Sequence, residues 1–233
     1  MKILAFETSA KAASVALLED GKLLGESYQN TGLTHSQTLM VMAEDVLKTC
    51  GFTAQDVDAV AVAAGPGSFT GVRIGVAAAK GLAWGGEKPC YGVSTLEAMA
   101  RTLNPWQGLV VCVMDARRNQ VYNAVFQADK GVLSRVCEDR AISLEELGAQ
   151  LEKETQPIFL VGDGSTLTYN TLKDRVENLV LPAEHKMHQR AVGVALVAQD
   201  MVDAGLPGDG AALEPNYLRL SQAEREKLER QQK

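Results

Sequence analysis

Three short stretches carry side chains able to do chemistry. Glu7-Thr8-Ser9 places a carboxylate and two hydroxyls at the end of a short apolar run, Ile3 to Phe6. At a strand-end turn such a group can hold a metal-bound phosphate, or its hydroxyls can bond to their own backbone. Spacing leaves both readings open, and Glu7, Thr8 and Ser9 are the candidate cofactor-binding residues. Gly65-Pro66-Gly67 sits between an apolar run and a helix, where free N–H groups attract anions. However, no Lys-Ser or Lys-Thr follows, and Thr70 stands where a dinucleotide fingerprint needs its third glycine. The turn reads as structural, with close helix packing behind it. Asp115-Ala116-Arg117-Arg118 could take an anion, although surface ion pairing is the plainer reading.

The histidines add little. His35 reads as a solvated or capping residue at a helix start, and His185 and His188 lack the third ligand or general base of a metalloprotease helix. With three histidines in all, a nucleophile relay is poorly supported. Four widely spaced cysteines without a CxxC read as buried thiols in a reducing compartment. Neither a metal nor a cofactor is expected.

The elements that must position these residues follow from periodicity. Residues 2–6, 14–18 and 22–28 read as strands, with Glu19-Asp20-Gly21 as a turn. Thr34 and Gln37 fit a capping box, and Leu39, Met42, Ala43, Val46, Leu47 and Cys50 then recur at helical spacing up to Gly51. Val57–Ala64 is apolar throughout, as in the buried middle of a parallel sheet. A helix over 69–84, a strand over 88–93 and a helix capped by Ser94 complete an α/β lobe over residues 1–104. Asn104-Pro105-Trp106-Gln107-Gly108 reads as the boundary. A smaller α/β lobe is expected over 105–220, with strands at 109–114, 120–127 and 157–161 and helices from Ser143 and near 191–204. Residues 221–233 form a polar tail, read as a frayed helix or disordered.

Composition narrows the partners. The net charge of −6 argues against stand-alone nucleic-acid binding, which needs a dense cationic surface. No secretory signal and no run long enough to span a bilayer stand out, so a cytoplasmic protein is expected.

One pattern points to a surface. Gly67, Gly71, Gly75, Ala79 and Ala83 fall every four residues and make a row with almost no bulk. Such a row lets a sheet, a ligand or another protein come close to the helix. Beside it, the helix over 36–50 carries a broad apolar stripe, widened by Met40 and Val41. Side by side the two helices expose an apolar patch unless a partner covers it.

ILAFETS, HSQTL, GPGSFTGVRIG, DARRNQVY and NYLR, in this order along nearly the whole chain, resemble the TsaB family, also called YeaZ. The resemblance implies a two-lobed fold of the actin/Hsp70/sugar-kinase superfamily, with a mixed sheet in each lobe. It implies a role in forming N6-threonylcarbamoyladenosine at position 37 of tRNAs that read codons beginning with A, as a partner of the transferase TsaD and the small ATPase TsaE. TsaD shares the ETS turn and the GPG turn-helix but carries an HxxxH metal pair. Thr95 and Met99 hold those two positions here, and a thioether suits soft ions. The implied role is a non-catalytic activator. Leu39, Met40, Met42, Ala43, Val46, Gly71, Gly75 and Ala79 form its expected contact with TsaD, or with a second copy when TsaD is missing. tRNA is contacted only indirectly. The competing enzymatic reading is an ATPase or phosphotransferase using Glu7, Thr8 and Ser9, with Gly162-Asp163-Gly164-Ser165 near the nucleotide. A peptidase ranks last, for want of a histidine pair or a Ser/His/Asp set.

Overall fold

The computed structural model describes residues 1–219, so the polar tail at 221–233 lies outside the described residues. The first lobe is built outward from its own N-terminal strand. β1 (Lys2–Glu7), β2 (Ala13–Glu19) and β3 (Lys22–Gln29) form an antiparallel meander. Asp20 and Gly21, both at positive φ, make the tight turn between β2 and β3. β4 (Ala59–Gly65) joins β1 in parallel and β5 (Cys90–Ser94) joins β4, giving the order β3-β2-β1-β4-β5. Parallel neighbours need crossovers, supplied by α1 (His35–Thr49) and α2 (Phe69–Gly85).

The helix ends are set locally. Ser68 caps α2 by accepting the Gly71 N–H at 3.3 Å, and Gly51 ends α1 at φ +80°. The capping box expected at Thr34 does not form. Thr34 is in the N-cap position, but its side chain makes no cap hydrogen bond. The start of α1 is instead anchored through His35 Nε2, 2.8 Å from the carbonyl oxygen of Ala10.

The second lobe repeats the plan. β6 (Gln107–Asp115), β7 (Gln120–Asp129) and β8 (Val132–Ser143) form a meander, and β9 (Ile158–Val161) and β10 (Leu179–Val180) add in parallel to β6. The order β10-β9-β6-β7-β8 mirrors that of the first sheet. α4 (Leu144–Leu151), opened by a Ser143–Glu146 capping box, and α5 (Ser165–Leu172) are the crossovers. β8 and α5 lie where the sequence suggested no element, because neither carries a strong apolar run. In β8 the side chains alternate between exposed and half-buried over most of its length, as on an edge strand.

Two more helices complete the packing. α3 (Thr95–Leu103) turns Ala98 toward the first lobe and Leu96, Met99 and Ala100 toward the second. α6 (Ala191–Asp203) packs Ala191, Val194, Ala195 and Ala198 against Ile3, Ala5, Ala16 and Ala61. Gly193 lets α6 meet α3, since a Cβ there would lie 2.1 Å from the Ala98 carbonyl oxygen. This corrects the expected division of the chain at residue 104. The first sheet has two apolar faces, and α1 and α2 cover only one. The other is closed by α6, so the chain returns to the first lobe near Arg190.

Candidate docking face and interlobe cleft

The row of small residues on α2 faces inward. A Cβ on Gly71 would sit 2.1 Å from the Thr8 carbonyl oxygen, and one on Gly75 would sit 2.4 Å from Thr8 Oγ1. Thr8 Oγ1 donates to the Gly71 carbonyl at 2.8 Å, locking the end of β1 against the helix. Gly67 is equally tight against Ser9, and Ala79 is fully buried. Gly71, Gly75 and Ala79 therefore do not present a flat face to a partner. They bring α2 close to its own sheet. On α1, Leu39, Met42, Ala43 and Val46 are likewise buried in the first-lobe core, and of the expected contact residues only Met40 is exposed.

The outward face is made by other residues. Met40 and Val41 on α1 and Trp84 on α2 are large, apolar and 45%, 60% and 88% exposed. Between the helices runs a groove of about 620 Å³, lined by Met40, Val41, Leu47, Phe52 and Leu82 among others. On its exposed side α2 is low, because Ala77, Gly81 and Gly85 are exposed and four residues apart. A Cβ on Gly81 would meet nothing within 4 Å. This second row of small residues is legible in the sequence. Its exposure is not, because the inward row has the same spacing.

The second feature is a cleft of about 390 Å³ between the lobes. Its wall includes Ser9, Lys11, Ser68, Asp115, Arg117 and Arg219. Of the candidate triplet, Ser9 alone lines the cleft. Thr8 is committed to α2, and Glu7 is fully buried with Oε1 accepting the Ser9 N–H at 2.6 Å. Burial pushes the Glu7 carboxyl up to about 7, with the nearby Asp163 adding to the rise and hydrogen bonding from Ser9 opposing it. Asp163, at the start of the segment after β9, is also raised, chiefly by desolvation, and accepts from Gln189 at 3.0 Å. Glu7 Oε2, Ser9 Oγ and Ser165 Oγ are buried without a partner in hydrogen-bonding geometry. In the Asp115–Arg118 motif, Asp115 accepts the Arg117 N–H at 2.7 Å, within a turn where Arg117, Arg118 and Asn119 are all left-handed.

Thr95 and Met99 end up in the interior. Met99 is 1% exposed and packs with Leu96, Cys112 and Met114 in the second-lobe core. Thr95 is fully buried. Beside them, Arg135 from β8 pairs with Glu97 at 2.6 Å and Asp139 at 2.7 Å, and Asp139 accepts from Ser94. This network ties the start of α3 to the edge of the second sheet. Among the described residues, no group of three His, Cys, Asp or Glu side chains is placed to hold a metal, and no helix is long and apolar enough to cross a membrane.

Comparison with known proteins gives a consistent picture. Residues 29–227 match the family model described as TsaD, tRNA N6-adenosine threonylcarbamoyltransferase. The chain is 33% identical over 99% of its length to a Bacillus subtilis protein, all of which is covered, named tRNA threonylcarbamoyladenosine biosynthesis protein TsaB. It shares 48% identity over 75 residues with a Jannaschia tRNA N6-adenosine threonylcarbamoyltransferase, covering 32% of this chain and 21% of that protein. Among solved structures it resembles YeaZ from Pseudomonas aeruginosa, with a TM-score of 0.76, 27% identity, and 93% of this chain and 99% of that chain covered. In fold alone it is also similar to the ethanolamine utilization protein EutJ from Carboxydothermus hydrogenoformans, with a TM-score of 0.52, 12% identity, and 84% of this chain and 90% of that chain covered.

Proposed function

Because the chain belongs to the TsaB family of tRNA threonylcarbamoyladenosine biosynthesis proteins, we propose that it serves that pathway as a non-catalytic subunit that docks on and activates a TsaD-like transferase. The observation that carries this is the apolar groove between α1 and α2, with Met40 and Val41 standing exposed along it. Removing this surface from water on docking supplies the driving force. Activation further requires that the subunit bind one arrangement of the transferase better than another. The non-catalytic role is supported by Met99, an apolar core side chain where the resemblance places one of the transferase's metal-binding histidines. The proposed site of action is the cytosol, where the transferase meets its tRNA. A TsaE-like ATPase completes the assembly, and a second copy covers the groove when the transferase is missing.

The test is reconstitution. Purified TsaD-like transferase with its substrates and tRNA should gain activity on addition of this chain. Unchanged turnover over a saturating titration would overturn the proposal.

A second reading, nucleotide binding between the lobes, is favoured by the buried, unpartnered Ser9 Oγ beside the cleft cations Lys11 and Arg117. Calorimetry with ATP and magnesium on the isolated protein separates the two readings. Saturable binding supports this one, and a flat titration removes it.

A further inference from the structure

We propose that residues 206–219 couple the outer flank of α2 to the interlobe cleft, so that a change at one alters the shape of the other. This segment leaves α6 and forms neither helix nor strand. It runs along α2 in the opposite direction and is gripped at both ends. At its start, the Gly208 carbonyl accepts from the Cys90 N–H at 3.3 Å. Lys80 of α2 then donates to the carbonyls of Ala211 and Leu213 at 3.3 and 3.0 Å. Leu213 packs against the first-lobe core. Here Gly210 and Ala211 form part of a surface pocket with Lys80 and Trp84.

At its far end the same segment builds a wall of the cleft. Asn216 donates its N–H to the Ala64 carbonyl at 2.6 Å. The fit is tight enough that a Cβ on Gly65 would sit 2.4 Å from the Asn216 carbonyl oxygen. The Tyr217 ring stacks on Phe69 in the first turn of α2 at 4.6 Å, and its hydroxyl accepts from Arg73 at 2.7 Å. Arg219 crosses to the second lobe and donates to the Ala116 carbonyl at 2.6 Å.

The two grips are separated by Glu214 and Pro215 only. Proline fixes its own φ and holds the preceding residue extended, so the linker has little slack. A shift of the Lys80-bound carbonyls is passed to Asn216 instead of being absorbed. The coupling is a property of this chain alone and does not depend on what docks at Trp84 or enters the cleft.

Hydrogen–deuterium exchange on the full chain tests it, with each end cut in turn. Lys80→Met keeps the side-chain stem but removes the ammonium. It should speed exchange about fivefold in peptides covering 216–219 and in the 115–120 turn, the factor expected when about one hydrogen bond of restraint is lost. Arg219→Ala should speed exchange over 208–213 by a similar factor, since coupling is reciprocal. Effects confined to the half that was cut, in both variants, would overturn the proposal. Should Lys80→Met fail to fold, Arg219→Ala alone decides, because it cuts only the end farthest from the first-lobe core.

Discussion

Glu7 is a carboxyl that folding takes out of water, with one oxygen left unpartnered. Its value near 7 lies above the ordinary 4.5, so the folded protein holds a proton there that the unfolded chain has released. Stability contributed by this group is therefore full below about pH 4.5 and falls as pH rises toward 7. The loss amounts to about 3 kcal/mol. Glu7→Gln cannot ionise, so its melting temperature should stay flatter than that of the natural chain across this window and exceed it above pH 7. Parallel melting curves for the two proteins, read by calorimetry, would refute a protonated Glu7.

The glycines of α2 separate at the same scale. Gly71→Ala puts a methyl group 2.1 Å from a backbone oxygen that cannot swing away, so a loss of about 1–3 kcal/mol is expected. Gly75→Leu should unfold the monomer, since its side chain would enter the space of Thr8 and Val62. Gly81→Ala, with open space around the new methyl, should instead stabilise by about 0.5–1 kcal/mol through helix propensity. Urea midpoints of the three variants check this directly. Destabilisation by Gly81→Ala would mean that the outer row is packed after all.

Helices α1 and α2 divide their residues between a face that holds the first lobe together and a face exposed to solvent. Val41→Asp changes only the second face, because Val41 is 60% exposed. It should leave the melting temperature within about 2 °C while weakening transferase binding by about tenfold or more, the scale of an apolar hot spot. Titration calorimetry and a thermal melt on the same sample are sufficient, and unchanged affinity would place the contact elsewhere. For α1 the stripe of Leu39, Met42, Ala43 and Val46 was legible as a stripe, but it was expected to meet a partner and instead fills the first-lobe core. For α2 the corresponding inference failed as well. Rows of small residues lie on two sides of it, and nothing in either row says which one meets the sheet.

Across the whole molecule, α6 and the segment after it belong to the lobe that starts the chain. A fragment of residues 1–104 would leave Ile3, Ala5, Ala16 and Ala61 without the cover of α6. It should be insoluble or unfolded, with amide signals collapsed in a proton–nitrogen NMR spectrum. A dispersed spectrum from that fragment would show that α6 is dispensable.

Local patterns determined the strand and helix types over most of the chain, the α/β class and the family. The β4 run, the Ser94 and Ser143 caps and the turn at Gly21 all depend on neighbours within a few residues. Tertiary structure alone decided which way α2 turns its small rows, where α6 returns, and that Ser9 opens on the cleft while Thr8 is spent on the helix. Each of these is set by a distant surface. Thr8 and Gly71 meet across 63 residues of chain, and periodicity, which records only that a face is apolar or small, carries no information about what will lie against it.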